Sequence, residues 1–182
     1  RRVLFRSLKD LKVTKANPVT LNSNLFIFHA DSTKLDLEGT NTFSYKNDED
    51  SYARVGIAYI SWIPGLYGTN DEESENATLN TFGIYNKGKL TVEGNTGSGN
   101  TGESAGIYSA KMVSFHNEGT IDVTAVKSQM MSVGLLAEYG AVIDSTGSTT
   151  FAGGEVNGVD EEEGSFGVVA MGGVTIKSGT VI

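Results

Sequence analysis

The stretch AGIYSAKMVSFHNEGTIDVTA, residues 105–125, contains the pattern that decides the fold. A glycine between apolar residues opens it, the apolar pair Val113 and Phe115 alternates with polar residues, and a second short segment, GTIDV, follows at 119–123. Alternation with a period of two is typical of a strand and not of a helix. The glycine pattern recurs at intervals of 27, 23, 28 and 33 residues, as VGIA at Gly56, FGIY at Gly83, AGIY at Gly106, VGLL at Gly134 and FGVV at Gly167.

Apolar pairs accompany this repeat at a fixed offset. Seven and nine residues after four of the glycines stand Leu90 and Val92, Val113 and Phe115, Ala141 and Ile143, and Val174 and Ile176. An earlier repeat is indicated by KLDLEG at 34–39, which matches KLTVEG at 89–94 and places Phe28 at the glycine position. GTNTF at 39–43 and GSTTF at 147–151 further resemble GTIDV. We therefore expect Asp36, Thr91 and Thr175 to face solvent, and eight residues to face inward: Leu35, Leu37, Leu90, Val92, Val113, Phe115, Val174 and Ile176.

A period in this range predicts stacked coils, because one coil cannot bury its apolar face alone. The fold predicted is all-β, a right-handed parallel β-helix of about five to six coils, truncated at both ends. A Greek-key sandwich is the alternative, although its strands would not need the same glycine pattern each time.

The composition restricts the class of protein. The chain of 182 residues has a formal net charge of −8, which repels phosphate backbones and argues against a nucleic-acid partner. It has no cysteine, which excludes disulfides and thiolate metal sites. Residues 1–7, RRVLFRS, resemble a translated sequencing adapter or tag, and we expect them to be non-native. The domain prediction continues with a lead-in segment at 8–24 and a partial repeat domain at 25–182.

GIYNKGKLTVEG, AGIYSAKMVSFHNEGTIDVTA and FGVVAMGGVTIKSGTVI resemble the passenger domains of type V autotransporters, in particular the glycine-rich adhesins of fusobacteria-like Gram-negative bacteria. The likeness lies in GIY-type turns followed by short strands and by an NxGTI phrase, here Asn117 to Ile121. It implies a β-helical stalk at the cell surface that is anchored in the outer membrane through a C-terminal barrel outside this sequence. It also implies a virulence-associated role in adhesion, with a host or bacterial surface protein or glycan as partner.

The segment YISWIPGLYG at 59–68 is the strongest binding-loop prediction. It contains the only tryptophan, Trp62, together with Tyr59 and Tyr67 and a Pro-Gly turn. Aromatic residues on a loop that leaves a regular scaffold are typical of binding sites. The alternative is that these side chains pack into the core or cover a sheet edge.

No catalytic residue, metal ligand or cofactor site is predicted, and we expect no enzyme activity. His29 and His116 lie about three coils apart in the repeat, and no hydrolase, metalloprotease or P-loop motif is present. Asp36, Asp122 and Asp144 could line a sheet face, but without a recurring basic partner a solvated face is favoured. The acidic runs at 48–50, 71–73 and 160–163 match no calcium motif and indicate solvated loop tips.

The function predicted is therefore that of a surface-exposed adhesin stalk. The alternative is a carbohydrate-active or carbohydrate-binding β-helix protein, similar to polysaccharide lyases and hydrolases. That alternative requires a groove on one parallel sheet with carboxylates about 5–10 Å apart.

Overall fold

The computed structural model describes residues 8–9, 12–15, 23–28, 33–45, 51–60, 81–95, 101–157 and 164–179. Every regular element in these ranges is a strand, so no helix among them could span a membrane. In chain order the strands are β1 (Leu8–Lys9), β2 (Lys12–Lys15), β3 (Ser23–Phe28), β4 (Thr33–Glu38), β5 (Thr40–Tyr45), β6 (Ser51–Ile60), β7 (Thr81–Asn86), β8 (Lys89–Asn95), β9 (Thr101–Ser109), β10 (Met112–Asn117), β11 (Thr120–Thr124), β12 (Lys127–Ser128), β13 (Met131–Ala137), β14 (Ala141–Ser145), β15 (Ser148–Ala152), β16 (Glu155–Val156), β17 (Gly164–Ala170) and β18 (Val174–Ser178).

These strands form three larger sheets. Sheet 1 has the order β1-β4-β7-β10-β14-β18, sheet 2 the order β2-β5-β8-β11-β15, and sheet 3 the order β3-β6-β9-β13-β17. β12 and β16 form a separate pair. Neighbouring strands in all of these sheets are parallel, for example β7 with β10, β8 with β11 and β9 with β13.

The chain visits sheets 1, 2 and 3 in turn and then returns to sheet 1 beside the strand it formed before. We call each such set of consecutive strands a coil. The described strands form five such sets, β1–β3, β4–β6, β7–β9, β10–β13 and β14–β17, and β18 follows them in sheet 1. The prediction of an all-β chain built from parallel sheets is confirmed, and the arrangement is consistent with a parallel β-helix.

A single apolar core lies between the three sheets. Each sheet contributes stacked rows of inward residues that lie opposite one another in adjacent strands. The cluster includes Phe82, Ile84, Val113 and Phe115 from sheet 1, Phe43, Leu90, Val92, Ile121 and Val123 from sheet 2, and Ile57, Tyr59, Ile107, Leu135 and Ala137 from sheet 3. Because these side chains meet in one cluster, the inner face of each sheet is buried by the other two sheets.

Glycine is required where sheet 1 turns into sheet 2. A Cβ atom added at Gly119 would overlap the carbonyl oxygen of Gly88, and one at Gly88 would overlap that of Gly39. The same turns hydrogen-bond along the stack, since Thr120 N donates to Gly88 O at 2.8 Å and Lys89 N to Gly39 O at 2.7 Å. The backbones of successive coils therefore approach too closely for a side chain at the positions of Gly88 and Gly119.

Buried asparagines stabilise the same corner. The Asn86 Nδ2 atom donates to Asn117 Oδ1 at 2.8 Å, and Asn117 Nδ2 donates to Ser148 O at 2.7 Å. Asn117 Oδ1 also accepts from Gly119 N at 3.0 Å. These side chains are 0% and 2% exposed, so each satisfies turn backbone groups that water cannot reach.

The sequence analysis treated the five glycines, and KLDLEG and KLTVEG, as equivalent positions of the repeat, and this prediction is partly wrong. Gly56, Gly106, Gly134 and Gly167 share one row of sheet 3, but Gly83 lies in sheet 1 opposite Lys34 and Ser114. KLDLEG therefore belongs to β4 of sheet 1, whereas KLTVEG belongs to β8 of sheet 2. Phe28 does not occupy the glycine position either, because Ser23 and Leu25 pair with Val55 and Ile57 on the two sides of Gly56. The parallel direction of the strands and their alternation were predicted correctly. The sheet to which Gly83 and KLTVEG belong was predicted wrongly.

The inward prediction is confirmed for Leu35, Leu37, Leu90, Val92, Val113 and Phe115, all at most 2% exposed. Val174 and Ile176 lie opposite the inward residues Ala141 and Ile143, but both are 44% exposed. The physical reason is that β18 is the last strand of sheet 1, and no described strand lies on its other side.

The repeat begins before residue 25 in the structure. β1 and β2 lie within the segment 8–24 and pair with β4 and β5. Leu8 lies opposite Leu37, and Val13 lies opposite Phe43. Residues 1–7 are outside the described residues.

Candidate functional site

The outer face of sheet 1 carries a row of ionisable and aromatic side chains, one from each of four neighbouring strands. Leu35 and Leu37 point into the core, so Asp36 between them points outward. Asp36 lies opposite Tyr85, Tyr85 opposite His116, and His116 opposite Asp144. We call Asp36, Tyr85, His116 and Asp144 the axial row, because it follows the direction in which the coils stack.

The centre of the axial row is a stacked pair of rings. The Tyr85 and His116 rings have centroids 4.3 Å apart and an angle of 14° between their planes. The Lys34 Nζ atom lies 4.1 Å from the centroid of the Tyr85 ring, in a cation–π contact. Both contacts are made by the faces of the Tyr85 ring, and neither involves the edge of the ring.

Each end of the axial row has a carboxylate with a polar neighbour. The Lys34 Nζ atom contacts Asp36 Oδ1 at 2.8 Å, and this hydrogen bond, with the charge of Asp36, raises the pKa of Lys34. At the other end, Ser178 Oγ donates to Asp144 Oδ1 at 2.6 Å. Asp144 Oδ2 lies 3.9 Å from His116 Nδ1, which is too long for a hydrogen bond but close enough for attraction if the imidazole is protonated.

A missing side chain next to the row leaves space for Tyr85. Gly83 lies two residues before Tyr85 on β7, and a Cβ atom there would come within 2.9 Å of Tyr85 Cε2. The ring therefore leans over the backbone of its own strand. The glycine of FGIY thus accommodates a surface ring, which is a different role from that of the sheet 3 glycines.

The chemistry of this face favours binding over acid–base catalysis. Asp36 and Asp144 are separated by three strand spacings, about 14 Å, which exceeds the carboxylate separations of retaining and inverting glycosidases. In the adjacent row, the strand register places Lys87 between Glu38 and Glu118. Within the described ranges, no group of three or more His, Cys, Asp or Glu side chains could hold a metal ion.

The predicted binding residues are placed as follows. Tyr59 is 0% exposed and stacks on Phe82 with ring centroids 5.1 Å apart, so its side chain belongs to the core and does not face a ligand. Trp62 and Tyr67 lie outside the described residues, as do His29 and the three acidic runs. Asp122 lies on sheet 2, opposite Thr91 and Thr150, and is separate from Asp36 and Asp144.

Sequence reasoning did not find Tyr85 and Lys34, and it weighed His116 only for catalysis, as too distant from His29 to pair with it. A signal was present in the sequence, because FGIYN and MVSFHN each place a ring directly before an asparagine, as Tyr85-Asn86 and His116-Asn117. The buried asparagines set the register of β7 and β10, and the preceding rings must then stack.

Comparison with known proteins adds no identification. No family model matches the chain, and neither a curated protein nor a solved structure matches it.

Proposed function

We propose that this chain is part of the surface stalk of a bacterial autotransporter adhesin and mediates adhesion to host or neighbouring cells. In this proposal the three sheets form a right-handed parallel β-helix of five to six coils, exposed outside the cell and anchored at the outer membrane. Right-handed connections are favoured because parallel strands joined by crossovers have that hand in about 98% of cases.

The observation that carries the proposal is the regular stacking of parallel strands, coil after coil, with polar residues along the outer face of sheet 2. The outward residues of sheet 2 include the row Thr42, Thr91, Asp122 and Thr150, in which hydroxyl groups dominate. A regular stack lengthens with each added coil while exposing the same kinds of surface, which suits an extended stalk.

The axial row is the part of the stalk that we assign to partner contact. It presents the edge of Tyr85, the imidazole of His116 and the carboxylates of Asp36 and Asp144 along one side of the stack. His116 and Asp144 have side chains 37% and 41% exposed, so both can reach a bound surface protein or glycan. Stacking on Tyr85 holds the imidazole in place and reduces the entropy lost on binding.

The competing function is that of a carbohydrate-active β-helix protein. The flat outer face of sheet 1 with its aromatic and acidic groups is the observation that favours it. The separation of Asp36 from Asp144 and the position of Lys87 between Glu38 and Glu118 weigh against hydrolysis, although they leave glycan binding open.

The test uses the purified 182-residue chain immobilised on a surface. We expect it to retain host or bacterial cells, and we expect Tyr85→Ala and His116→Ala each to lower retention several-fold. Thr91→Ala on the outer face of sheet 2 is the matched control and should retain cells like the unmodified chain. Loss of retention in the control alone, or no retention by the unmodified chain, would contradict the proposal.

A second measurement separates the two functions. The soluble chain is incubated with a panel of polysaccharides, and release of reducing ends is followed while binding is measured on a glycan array. Binding without release supports an adhesin, whereas release that Asp36→Asn or Asp144→Asn abolishes would support the carbohydrate-active alternative.

A further inference from the structure

The two ends of the axial row are built from the same kinds of group. At one end, the Lys34 Nζ atom lies 4.1 Å from the centroid of the Tyr85 ring and 2.8 Å from Asp36 Oδ1. A ring face and a carboxylate together therefore hold this cation. At the other end, His116 supplies a ring and Asp144 supplies a carboxylate, and the two residues lie opposite each other on β10 and β14. The row thus contains twice the pair of groups that holds a cation.

The carboxylate of Asp144 is held in position but is not paired with a lysine or arginine of the described residues. Asp144 Oδ1 accepts a hydrogen bond from Ser178 Oγ at 2.6 Å. Asp144 Oδ2 lies 3.9 Å from His116 Nδ1, beyond hydrogen-bond distance. The Asp144 side chain is 41% exposed, so a donor from outside the chain has access to it.

The His116 ring is fixed on one face and accessible on the other. Its first face stacks on Tyr85, with 4.3 Å between centroids and 14° between planes. Its second face is turned towards β14, because β10 lies between β7 and β14 in sheet 1. The Asp144 side chain on β14 is shorter than that of histidine and leaves the outer part of this face uncovered, and His116 is 37% exposed. A planar group above Asp144 would therefore continue the stack of rings.

The group that fits this position is planar and positively charged. A guanidinium meets both conditions, because it stacks on aromatic faces and donates paired hydrogen bonds to a carboxylate. An ammonium also pairs with a carboxylate, but it is a strongly hydrated point charge and gains less from a flat ring. The net charge of −8 attracts cations of both kinds, so it favours binding without selecting between them.

We propose that His116 and Asp144 form a binding site for an arginine side chain of a partner protein. The guanidinium stacks on the His116 face turned towards β14 and donates to the Asp144 carboxylate, while Tyr85 and Ser178 hold these two groups in position. The source of the arginine, a protein on the surface of a host or neighbouring cell, rests on the proposed function. Binding of the guanidinium does not, because it requires only these residues.

An NMR titration of the purified 182-residue chain with a capped Gly-Arg-Gly peptide tests the proposal. It is carried out at about pH 8, where an ordinary histidine is neutral. We expect saturable shifts of the His116 ring signals and of the backbone amides of β10 and β14. A capped Gly-Lys-Gly peptide carries the same charge and is the matched control ligand. Its dissociation constant should be higher by about threefold or more, because an ammonium does not stack on the ring.

Variants of the two residues sharpen the test. Asp144→Asn should raise the dissociation constant of the arginine peptide about tenfold, because it removes the charge that pairs with the guanidinium. Asp122→Asn is the matched control, since it changes the net charge equally on sheet 2, and it should bind like the unmodified chain. His116→Ala should raise the dissociation constant about threefold. His116→Phe, which restores a flat ring, should raise it less.

Three results would overturn the proposal: equal affinities for the arginine and lysine peptides, equal effects of Asp144→Asn and Asp122→Asn, or no saturable shift of the His116 signals. If cells are retained but the peptide does not bind, the arginine site is wrong and the proposed function stands. If the peptide binds through Asp144 but no cells are retained, the arginine site is supported and the proposed adhesion is contradicted. Circular dichroism establishes that each variant is folded. If His116→Ala does not fold, Asp144→Asn and the lysine peptide decide the outcome.

Discussion

Val113 and Val174 are the same residue type at the same row of sheet 1, yet their surroundings differ completely. Val113 on β10 has β7 on one side and β14 on the other, and it is 0% exposed. Among the described strands, Val174 on β18 pairs only with β14, and it is 44% exposed. The side chain and its strand are alike in the two places, so the neighbouring coil accounts for the difference.

The comparison shows that burial in this chain is a property of the stack and not of a single repeat. A local pattern determines which side of a strand is apolar, and adjacent coils determine whether that side is protected from water. The contrast between central and terminal coils should therefore appear whenever equivalent positions are changed in both.

The largest effect is expected for a buried charge. Val113→Asp should lower the free energy of unfolding by about 3–5 kcal/mol, because it places an unpaired carboxylate in the core. Val174→Asp should cost less than about 1 kcal/mol, since Val174 is largely exposed and the carboxylate can remain hydrated. Denaturant midpoints with far-UV circular dichroism measure both, and equal losses would refute the assigned inward register of β10.

A smaller effect is expected at the turns. Gly119→Ala should cost about 3 kcal/mol, because the added methyl group meets the backbone of Gly88 and no flexible side chain can move aside. Gly173→Ala, in the turn between β17 and β18, should cost about 1 kcal/mol. Gly173 has a φ of 85° but nothing within 4 Å of an added Cβ atom. Thermal denaturation compares the two, and a larger loss at Gly173 would show that backbone conformation outweighs the close approach of coils.

The sequence predicted the strands, their parallel stacking and most of the inward residues, because alternation is a local property. It also related GTNTF, GTIDV and GSTTF correctly, which are β5, β11 and β15 of sheet 2. It could not assign Gly83 or KLTVEG to the correct sheet. Strands on both sides of a two-residue turn show the same alternation, so periodicity carries no information about which sheet a strand joins.

The axial row was harder to predict for a related reason. Tyr85 and His116 are 31 residues apart, and their contact depends on the exact length of every turn between β7 and β10. Asp36 and Asp144 were noticed as outward residues, but their shared row follows only from the register of four strands. The prediction for Tyr59 failed in the opposite way. As an aromatic residue beside an unusual loop it was predicted to bind a partner, but its side chain is part of the core.

The buried amides allow a third comparison. Asn117→Ala should cost about 2 kcal/mol, because it leaves Gly119 N without its side-chain acceptor and removes the donor to Ser148 O in a site that excludes water. Ser145→Ala, the equivalent position one coil nearer β18, should cost about half as much, since Ser145 Oγ makes longer hydrogen bonds, of 3.1–3.3 Å. Chemical denaturation of both variants measures the difference. A greater loss of stability for Ser145→Ala than for Asn117→Ala would contradict the prediction that the hydrogen bonds of Asn117 contribute more.

The smallest loss of stability is expected at Tyr108, whose hydroxyl donates a hydrogen bond to Glu138 Oε1 of the next coil. Burial, followed by that hydrogen bond and the charge of Glu138, raises the pKa of Tyr108 above its ordinary value. A raised pKa in the folded state means that the stabilisation is complete below about pH 10, where tyrosine ionises in the unfolded chain, and is lost as pH rises further. Tyr108→Phe should therefore cost about 1 kcal/mol at neutral pH, and its stability should converge with that of the unmodified chain at alkaline pH. Glu138→Gln should still lose part of its stability at alkaline pH, because burial is the largest cause of the raised pKa of Tyr108. Denaturation midpoints measured from neutral to alkaline pH test this, and parallel curves for the unmodified chain and Tyr108→Phe would contradict it.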